Sequence, residues 1–175
     1  QISLTKLFAI SRTEITVAQF REFIESSDYK TQAEQINSSN IFDLGSGKLV
    51  AKEGVNWRHN HIGDLTGENF PVVHISFEDA MAYVQWLSKK TNKTYRLPSE
   101  SEWEFALRAN SESIYPWGKK LLDVKQGNLS GTADKMPNNR KWGNAIPNYA
   151  DGYWGLAPVK QYTAEGFGTF DMQGN

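Results

Sequence analysis

The amino-acid sequence predicts an α+β fold of low regular content, with about three helices, small antiparallel sheets and long packed loops. Two observations carry this prediction. The front of the chain holds three helix start signals, each followed by apolar residues at helical spacing. Nine of the 14 glycines and four of the six prolines follow residue 110, and such residues favour turns over long helices or strands.

The first predicted helix covers Val17–Ser26. Thr16 precedes Gln19 by three residues, which is the spacing of a capping box that satisfies free N–H groups in the first turn. Phe20 and Phe23 then recur on one face, so this helix is expected to bury that face.

The same start signal occurs twice more. Ser76 precedes Asp79 by three residues, and Ser99 precedes Glu102 by three. The predicted helices are Phe77–Lys90 and Glu100–Ala109. Short strands are predicted at Leu4–Ile10, Val72–Ile75 and Tyr95–Leu97.

Burial is predicted for the apolar stripes of these helices and for three tryptophans. The side chains expected inside are Trp57, Trp103, Trp117, Phe20, Phe23, Val84, Leu87 and Leu107.

Composition indicates one domain over residues 1–175 and narrows the function classes. The chain has 19 Lys plus Arg against 20 Asp plus Glu, and this balance argues against nucleic acid as a partner. No apolar run reaches the roughly 20 residues that span a bilayer. The chain has no cysteine, which excludes a thiolate metal site and a Cys nucleophile within it.

The three histidines do not indicate a metal site or a hydrolase site. His59 and His61 could face the same side of an extended segment as metal ligands, but no acidic ligand is placed to complete the set. A hydrolase built from Ser76, His74 and Asp79 is disfavoured, because Ser76 has the position of a helix cap.

The loop-rich region after residue 110 contains a better candidate for a metal site. Short oxygen-bearing side chains in glycine-rich loops are the composition from which calcium sites are made, although Asn and Asp also occur in any turn. The candidates are Asn128, Asp134, Asp151, Asp171 and Asn175.

A series of short motifs, in order along the chain, resembles the formylglycine-generating enzyme family, also called sulfatase-modifying factors. The series ends in Asp171-Met172-Gln173-Gly174-Asn175. The earlier motifs are Glu14-Ile15-Thr16 with Gln19-Phe20, Asn56-Trp57-Arg58, Pro71-Val72-Val73-His74-Ile75-Ser76, Asp79-Ala80, Arg96-Leu97-Pro98-Ser99-Glu100, Glu102-Trp103-Glu104 and Trp117-Gly118.

The resemblance implies a C-type-lectin-like fold and structural calcium. The first implied calcium site matches the Asn128 side chain, the Leu129 carbonyl, the Asp151 side chain and the Tyr153 carbonyl. A second implied site lies around Asp171 to Asn175. The family also implies a periplasmic or secretory location and a protein or peptide partner.

The chain departs from the family in one chemical respect. The true enzymes are copper-dependent oxidases that convert a substrate cysteine into formylglycine, with Cu(I) held by a cysteine pair. This chain, which matches the central part of the family domain without its first strand and C-terminal region, has no cysteine. Copper is therefore expected only if the C-terminal region of the parent protein carries the pair.

The sequence leaves two functions open. The chain is either the scaffold of such an oxidase, inactive as this chain alone, or a non-catalytic binding module of the same fold. Such modules occur in lectin-like variable proteins, in kinase-attached domains and in siderophore-maturation homologues.

Overall fold

The computed structural model describes residues 7–115, 127–134 and 143–175. Its elements are α1 (Val17–Ser27), α2 (Gln32–Ile36), β1 (Ser38–Asp43), β2 (Lys48–Glu53), α3 (Phe77–Thr91) and α4 (Glu100–Arg108). In this part of the chain β1 and β2 form a two-stranded antiparallel sheet, and long loops make up the rest. The predicted α+β class is confirmed. None of the described helices is long and apolar enough to cross a membrane.

The chain divides into two compact units. One is Ile15–Leu97, which holds α1, α2, the sheet and α3. The other joins Gln1–Glu14 to Pro98–Asn175 and holds α4 and the glycine-rich loops. The single domain expected over residues 1–175 stays a prediction.

The three predicted helices are confirmed as α1, α3 and α4, with ends that differ by one residue from those expected. Each begins with the predicted capping box, in which the hydroxyl of the cap accepts the N–H of the residue three positions later. The short helix α2 was not predicted. It starts with the same signal, Thr31 and Glu34, but its five residues are too few for an apolar period to show.

The core of the unit Ile15–Leu97 is aromatic. The Phe20 ring stacks on Tyr83 at 5.8 Å and meets Trp57 at 5.7 Å between ring centroids. Phe23 packs edge-on against Tyr83, so two aromatic side chains of α1 contact α3. Trp57 is fully buried, as predicted, and the Arg58 guanidinium lies 4.2 Å from its ring centroid.

The predicted burial of Trp103 is wrong, since 40% of this side chain is exposed. The buried residues of α4 are Glu102 and Ala106, one turn apart, and Trp103 lies about 100° round the helix from Glu102. Val84, Leu87 and Leu107 are half-buried. Trp117 lies outside the described residues.

Two predicted strands do not form. Val72 donates its N–H to the Ile15 carbonyl at 2.9 Å, but His74 has a left-handed φ of 59°, which stops an extended ladder. Tyr95 donates its N–H to the Ser88 hydroxyl rather than to a neighbouring strand. In Leu4–Ile10, residues 7–10 are not a strand, and residues 4–6 lie outside the described part.

The hairpin of β1 and β2 was missed. The two strands pair from Ser38 opposite Glu53 to Asp43 opposite Lys48. Asp43 holds the turn, because its side chain accepts the Ser46 N–H at 2.6 Å and its carbonyl accepts the Gly47 N–H at 2.7 Å. Gly45 and Gly47, between the two strands, were the sequence signal that could have predicted this turn.

Candidate metal centre

The predicted first ligand set comes together around the Asp151 carboxylate, which is 2% exposed. Asp151 Oδ2 accepts the Leu129 N–H at 2.8 Å, and Oδ1 accepts the Tyr153 N–H at 2.7 Å. Two main-chain donors therefore fix a buried carboxylate beside the two residues whose carbonyls were predicted as ligands.

Asn128 and Asn175 connect the first predicted site to the second. The Asn128 amide donates to the Gly155 carbonyl and, at 3.4 Å, to Asn175 Oδ1. The Asn128 N–H donates to the Gly174 carbonyl at 3.0 Å. The two ligand sets predicted separately thus lie against each other in one unit.

Asn175 is held by the main chain of Ala157. Its Oδ1 accepts the Ala157 N–H at 2.7 Å, and its Nδ2 donates to the Ala157 carbonyl at 3.1 Å. This reciprocal pair fixes the amide plane, so Oδ1 is the oxygen that Asn175 can offer to an ion.

Asp171 occupies the centre of the second predicted site. It is 4% exposed and has a left-handed φ of 59°, which Asp tolerates better than most residues. Asp171 Oδ2 accepts the Lys160 N–H at 2.5 Å, whereas Oδ1 is buried with no hydrogen-bond partner among the described residues. Burial raises the pKa of Asp171, and the Lys160 N–H opposes that rise.

Two further carboxylates, Glu14 and Glu165, interact electrostatically with Asp171 and were not predicted as site residues. Burial raises the pKa of Glu14, and the negative charges of Asp171 and Glu165 raise it further. Burial also raises the pKa of Glu165. Glu14 belongs to one of the family motifs, but its proximity to Asp171 could not be predicted, because 157 positions separate the two residues along the chain.

Residues 131–133 and residues 146–149, which flank the first predicted site in the chain, lie against each other. Gly131 forms a parallel bridge with Ile146, and the Ala133 N–H donates to the Tyr149 carbonyl at 3.0 Å. A Cβ on Gly131 would lie 2.0 Å from that Tyr149 oxygen, so only glycine fits. The Tyr149 hydroxyl donates to the Gly127 carbonyl.

The histidines do not form a metal or hydrolase site with the residues weighed from sequence. Ser76 is the cap of α3 and accepts the Asp79 N–H, as the capping interpretation predicted. His74 instead contacts the Ser39 hydroxyl through Nδ1 and the Asn60 carbonyl through Nε2. Burial lowers the pKa of His61, and the nearby His74 lowers it further.

The donor set decides which metals suit this region. No group of three or more His, Cys, Asp or Glu side chains is arranged as metal ligands in residues 7–115, 127–134 and 143–175. The whole sequence lacks cysteine, so the thiolates that Cu(I) favours are missing from this chain. The available donors are carboxylate, amide and main-chain oxygens, and an unpartnered buried oxygen at Asp171 fits a hard cation such as calcium.

Comparison with known proteins decides the family. The family model described as "Sulfatase-modifying factor enzyme 1-like domain" matches residues 1–175. The chain is 31% identical to the formylglycine-generating enzyme of Mus musculus over 96% of its own length and 47% of that protein. It belongs to the formylglycine-generating enzyme family.

Other members of this family are equally similar. The formylglycine-generating enzyme of Streptomyces coelicolor is 31% identical, with 96% of this chain and 55% of the relative covered. The inactive C-alpha-formylglycine-generating enzyme 2 of Bos taurus is 34% identical, with 97% and 58% covered. The chain spans about half the length of the curated relatives it matches, and the family includes both enzymes and a protein named as inactive.

Proposed function

We propose that this chain is the calcium-stabilised scaffold of a formylglycine-generating oxidase and that it is inactive in the oxidation as this chain alone. The observation that carries the second part is the absence of cysteine from all 175 residues. The oxidation implied by family resemblance needs Cu(I), which soft thiolate ligands hold, and oxygen donors of the kind found here do not replace them.

The activity test uses the purified chain with Cu(I), oxygen and a peptide that carries a sulfatase cysteine motif. Mass spectrometry then follows conversion of the peptide cysteine to formylglycine, with the Mus musculus enzyme as the positive control. We expect no product from this chain under conditions in which the control converts the peptide. Formylglycine formed by the chain alone would overturn the proposal.

The calcium part of the proposal is supported by two buried carboxylates. Asp151 and Asp171 are 2% and 4% exposed, and their hydrogen bonds described above come from main-chain N–H groups of three residues, Leu129, Tyr153 and Lys160. At Asp171, where Oδ1 has no hydrogen-bond partner among the described residues, a divalent cation would offset the cost of the buried negative charge. Calcium would be held at about 2.3–2.6 Å from the oxygens, with waters completing six to eight ligands.

We assign the ligands of the first site to Asn128, Leu129, Asp151 and Tyr153, and those of the second to Asp171 and Asn175. Calcium supplies positive charge there and no redox chemistry. The hydrogen bonds made by these residues anchor the loops of residues 127–134 and 143–175 to one another.

The proposal extends to partner and location. A protein or peptide is the expected partner, because the relatives bear the name of an enzyme that generates formylglycine. A periplasmic or secretory location is the expected compartment, because the family resemblance implies it.

A second candidate function is a non-catalytic binding module, favoured by the missing cysteines together with the similarity to a relative named as inactive. The sequence of the parent gene distinguishes the two candidate functions. A closely spaced cysteine pair encoded after Asn175 would favour the oxidase scaffold, and its absence from the whole parent protein would favour the binding module.

A further inference from the structure

We propose that Ser39 is a nucleophile activated by His74, at a site that transfers the acyl group of small, activated carboxylic esters. The site lies within the unit Ile15–Leu97, and its residues come from β1, from β2 and from the loop of residues 54–76. It goes beyond the proposed function, because acyl transfer of this kind needs neither calcium nor copper.

The contacts of His74 fix which of its ring nitrogens carries the proton. Nε2 lies 2.8 Å from the Asn60 carbonyl oxygen, and Nδ1 lies 2.9 Å from the Ser39 hydroxyl oxygen. A carbonyl oxygen only accepts, so in the neutral ring Nε2–H donates to Asn60 and Nδ1 keeps its lone pair. The Ser39 hydroxyl therefore donates to Nδ1, which is the arrangement of a nucleophile beside its general base.

The Asn60 carbonyl that orients the ring belongs to a tight turn. The Asn60 N–H donates to the Asp64 carbonyl at 2.7 Å, and Asn60 Oδ1 accepts the Asp64 N–H at 3.1 Å. The Gly63 N–H donates to the Asn60 carbonyl at 2.9 Å. The Phe42 N–H, in β1, donates to the His61 carbonyl at 2.7 Å. Main-chain hydrogen bonds thus tie the strand that carries the nucleophile to the turn that orients its base.

His74 itself departs from ordinary backbone geometry. Its φ of 59° is left-handed, which is uncommon for a residue other than glycine. Such strained residues cluster at functional sites, where the surrounding contacts hold the backbone in place. Burial lowers the pKa of the neighbouring His61, so this second ring is neutral at pH 7 and adds no positive charge that would weaken His74 as a base.

Lys52 supplies positive charge on the same face of the hairpin. It lies directly opposite Ser39 in the register of β1 and β2, so the two side chains leave the same face. A Cβ on Gly63 would lie 3.0 Å from Lys52 Nζ, which places the ammonium beside the turn that contains Asn60. Lys52 forms no ion pair within the part of the chain that the structure describes. We assign this ammonium to the negative oxygen that forms when a serine attacks a carbonyl group.

The reaction proceeds in two balanced steps. Ser39 Oγ forms a bond to the ester carbonyl carbon, His74 Nδ1 takes the hydroxyl proton, and the bond to the leaving oxygen breaks as that proton passes to it. The products are an alcohol or phenol and an acyl group on Ser39. Water then attacks the acyl group with His74 as the base, which releases the carboxylic acid and restores the serine.

The group that orients the base limits the substrate. The Asn60 carbonyl is neutral, whereas the carboxylate of a Ser-His-Asp triad stabilises the imidazolium by its charge. The site is therefore expected to act on esters with a good leaving group, such as aryl esters. Ser39 and His74 are both half-buried, which favours a short acyl group such as acetyl.

The first test treats the full chain with an alkyl fluorophosphonate, which forms an Oγ–P bond with an activated serine and releases fluoride and the hydroxyl proton. Peptide mass spectrometry locates the label. Ser38 is the internal control, because it is the adjacent half-buried hydroxyl and donates to the Lys52 carbonyl at 3.2 Å instead of to a base. We expect one label, on Ser39, in the native chain and none in the chain unfolded in urea.

The variants separate the roles of the two residues. Ser39→Ala should take no label, and Ser38→Ala should react as wild type does. His74→Asn should react roughly 100-fold more slowly, because a general base contributes at least that factor, and Asn tolerates a left-handed φ. Hydrolysis of p-nitrophenyl acetate should fall in the same order, and the melting temperature of each variant reports whether it folds.

Two results would overturn the inference. One is a native wild-type chain that takes no label at Ser39, or takes as much after unfolding in urea. The other is a folded His74→Asn variant that reacts at the wild-type rate. Should His74→Asn fail to fold, the comparison of native with unfolded wild type still decides. Neither result bears on calcium binding or on the oxidation, so the proposed function stands or falls separately.

Discussion

Glu165 shows how a single buried carboxylate links stability to pH. Burial raises the pKa of its side chain above the ordinary value for Glu, and the charge of nearby Asp171 raises it further. The folded state therefore holds the Glu165 proton more tightly than the unfolded state does. The stability from this difference is fully present below the unfolded pKa of about 4.3 and is lost as the pH rises through the folded value.

The prediction is made for calcium-free protein in chelator. Glu165→Gln should match wild type in free energy of unfolding near pH 3, where Glu165 is mostly protonated in both states, and should be more stable than wild type at pH 7. Urea denaturation at both pH values measures this, with Glu112→Gln as the exposed control. A wild type that is the more stable of the two at pH 7 would contradict the burial of an unpaired charge at Glu165.

Contacts between site residues were predictable from sequence only where the residues are close together along the chain. Asp151 and Tyr153 are two positions apart, and the structure joins them by a hydrogen bond within one turn. Loop composition brought Asn128 and Asp171 into the prediction, and family resemblance grouped them into two sites. Glu14 was missed as a site residue because its neighbours come from the opposite end of the chain.

At the level of elements, helix starts were predictable and strands were not. The capping boxes of α1, α3 and α4 are encoded within four consecutive residues each, so the sequence contains the whole interaction. The segment around Val72 depends on a partner at Ile15 and on the left-handed φ of His74. Neither can be read from the local apolar pattern.

The loop contact at Gly131 makes an element-level prediction. Gly131→Ala should destabilise the chain by about 1–3 kcal/mol, the usual cost of overpacking, because its Cβ would lie 2.0 Å from the Tyr149 oxygen. Gly143→Ala is the matched control, since no atom of the described residues lies within 4 Å of a Cβ at that position. Chemical denaturation of both variants measures the difference. Equal stability of the two would show that residues 127–134 and 143–149 do not approach as described.

At the scale of the whole molecule, composition and motif order were sufficient for the family and the α+β class. They were not sufficient for the division into two compact units, because that division depends on residues 98–175 packing with the first 14. This unit contains α4, long loops and the candidate metal centre. A loop-rich unit of this kind has few helical hydrogen bonds, so bound ions are expected to contribute to its stability.

The most direct test of calcium as the structural ion is the melting temperature of the wild-type chain with calcium and with excess chelator. An ion that binds only the folded state stabilises it by mass action, so we predict a lower melting temperature in chelator. Asp151→Asn should show a smaller difference between the two conditions, because it removes one buried charge from the first site. The same melting temperature in calcium and in chelator for the wild-type chain would contradict the account.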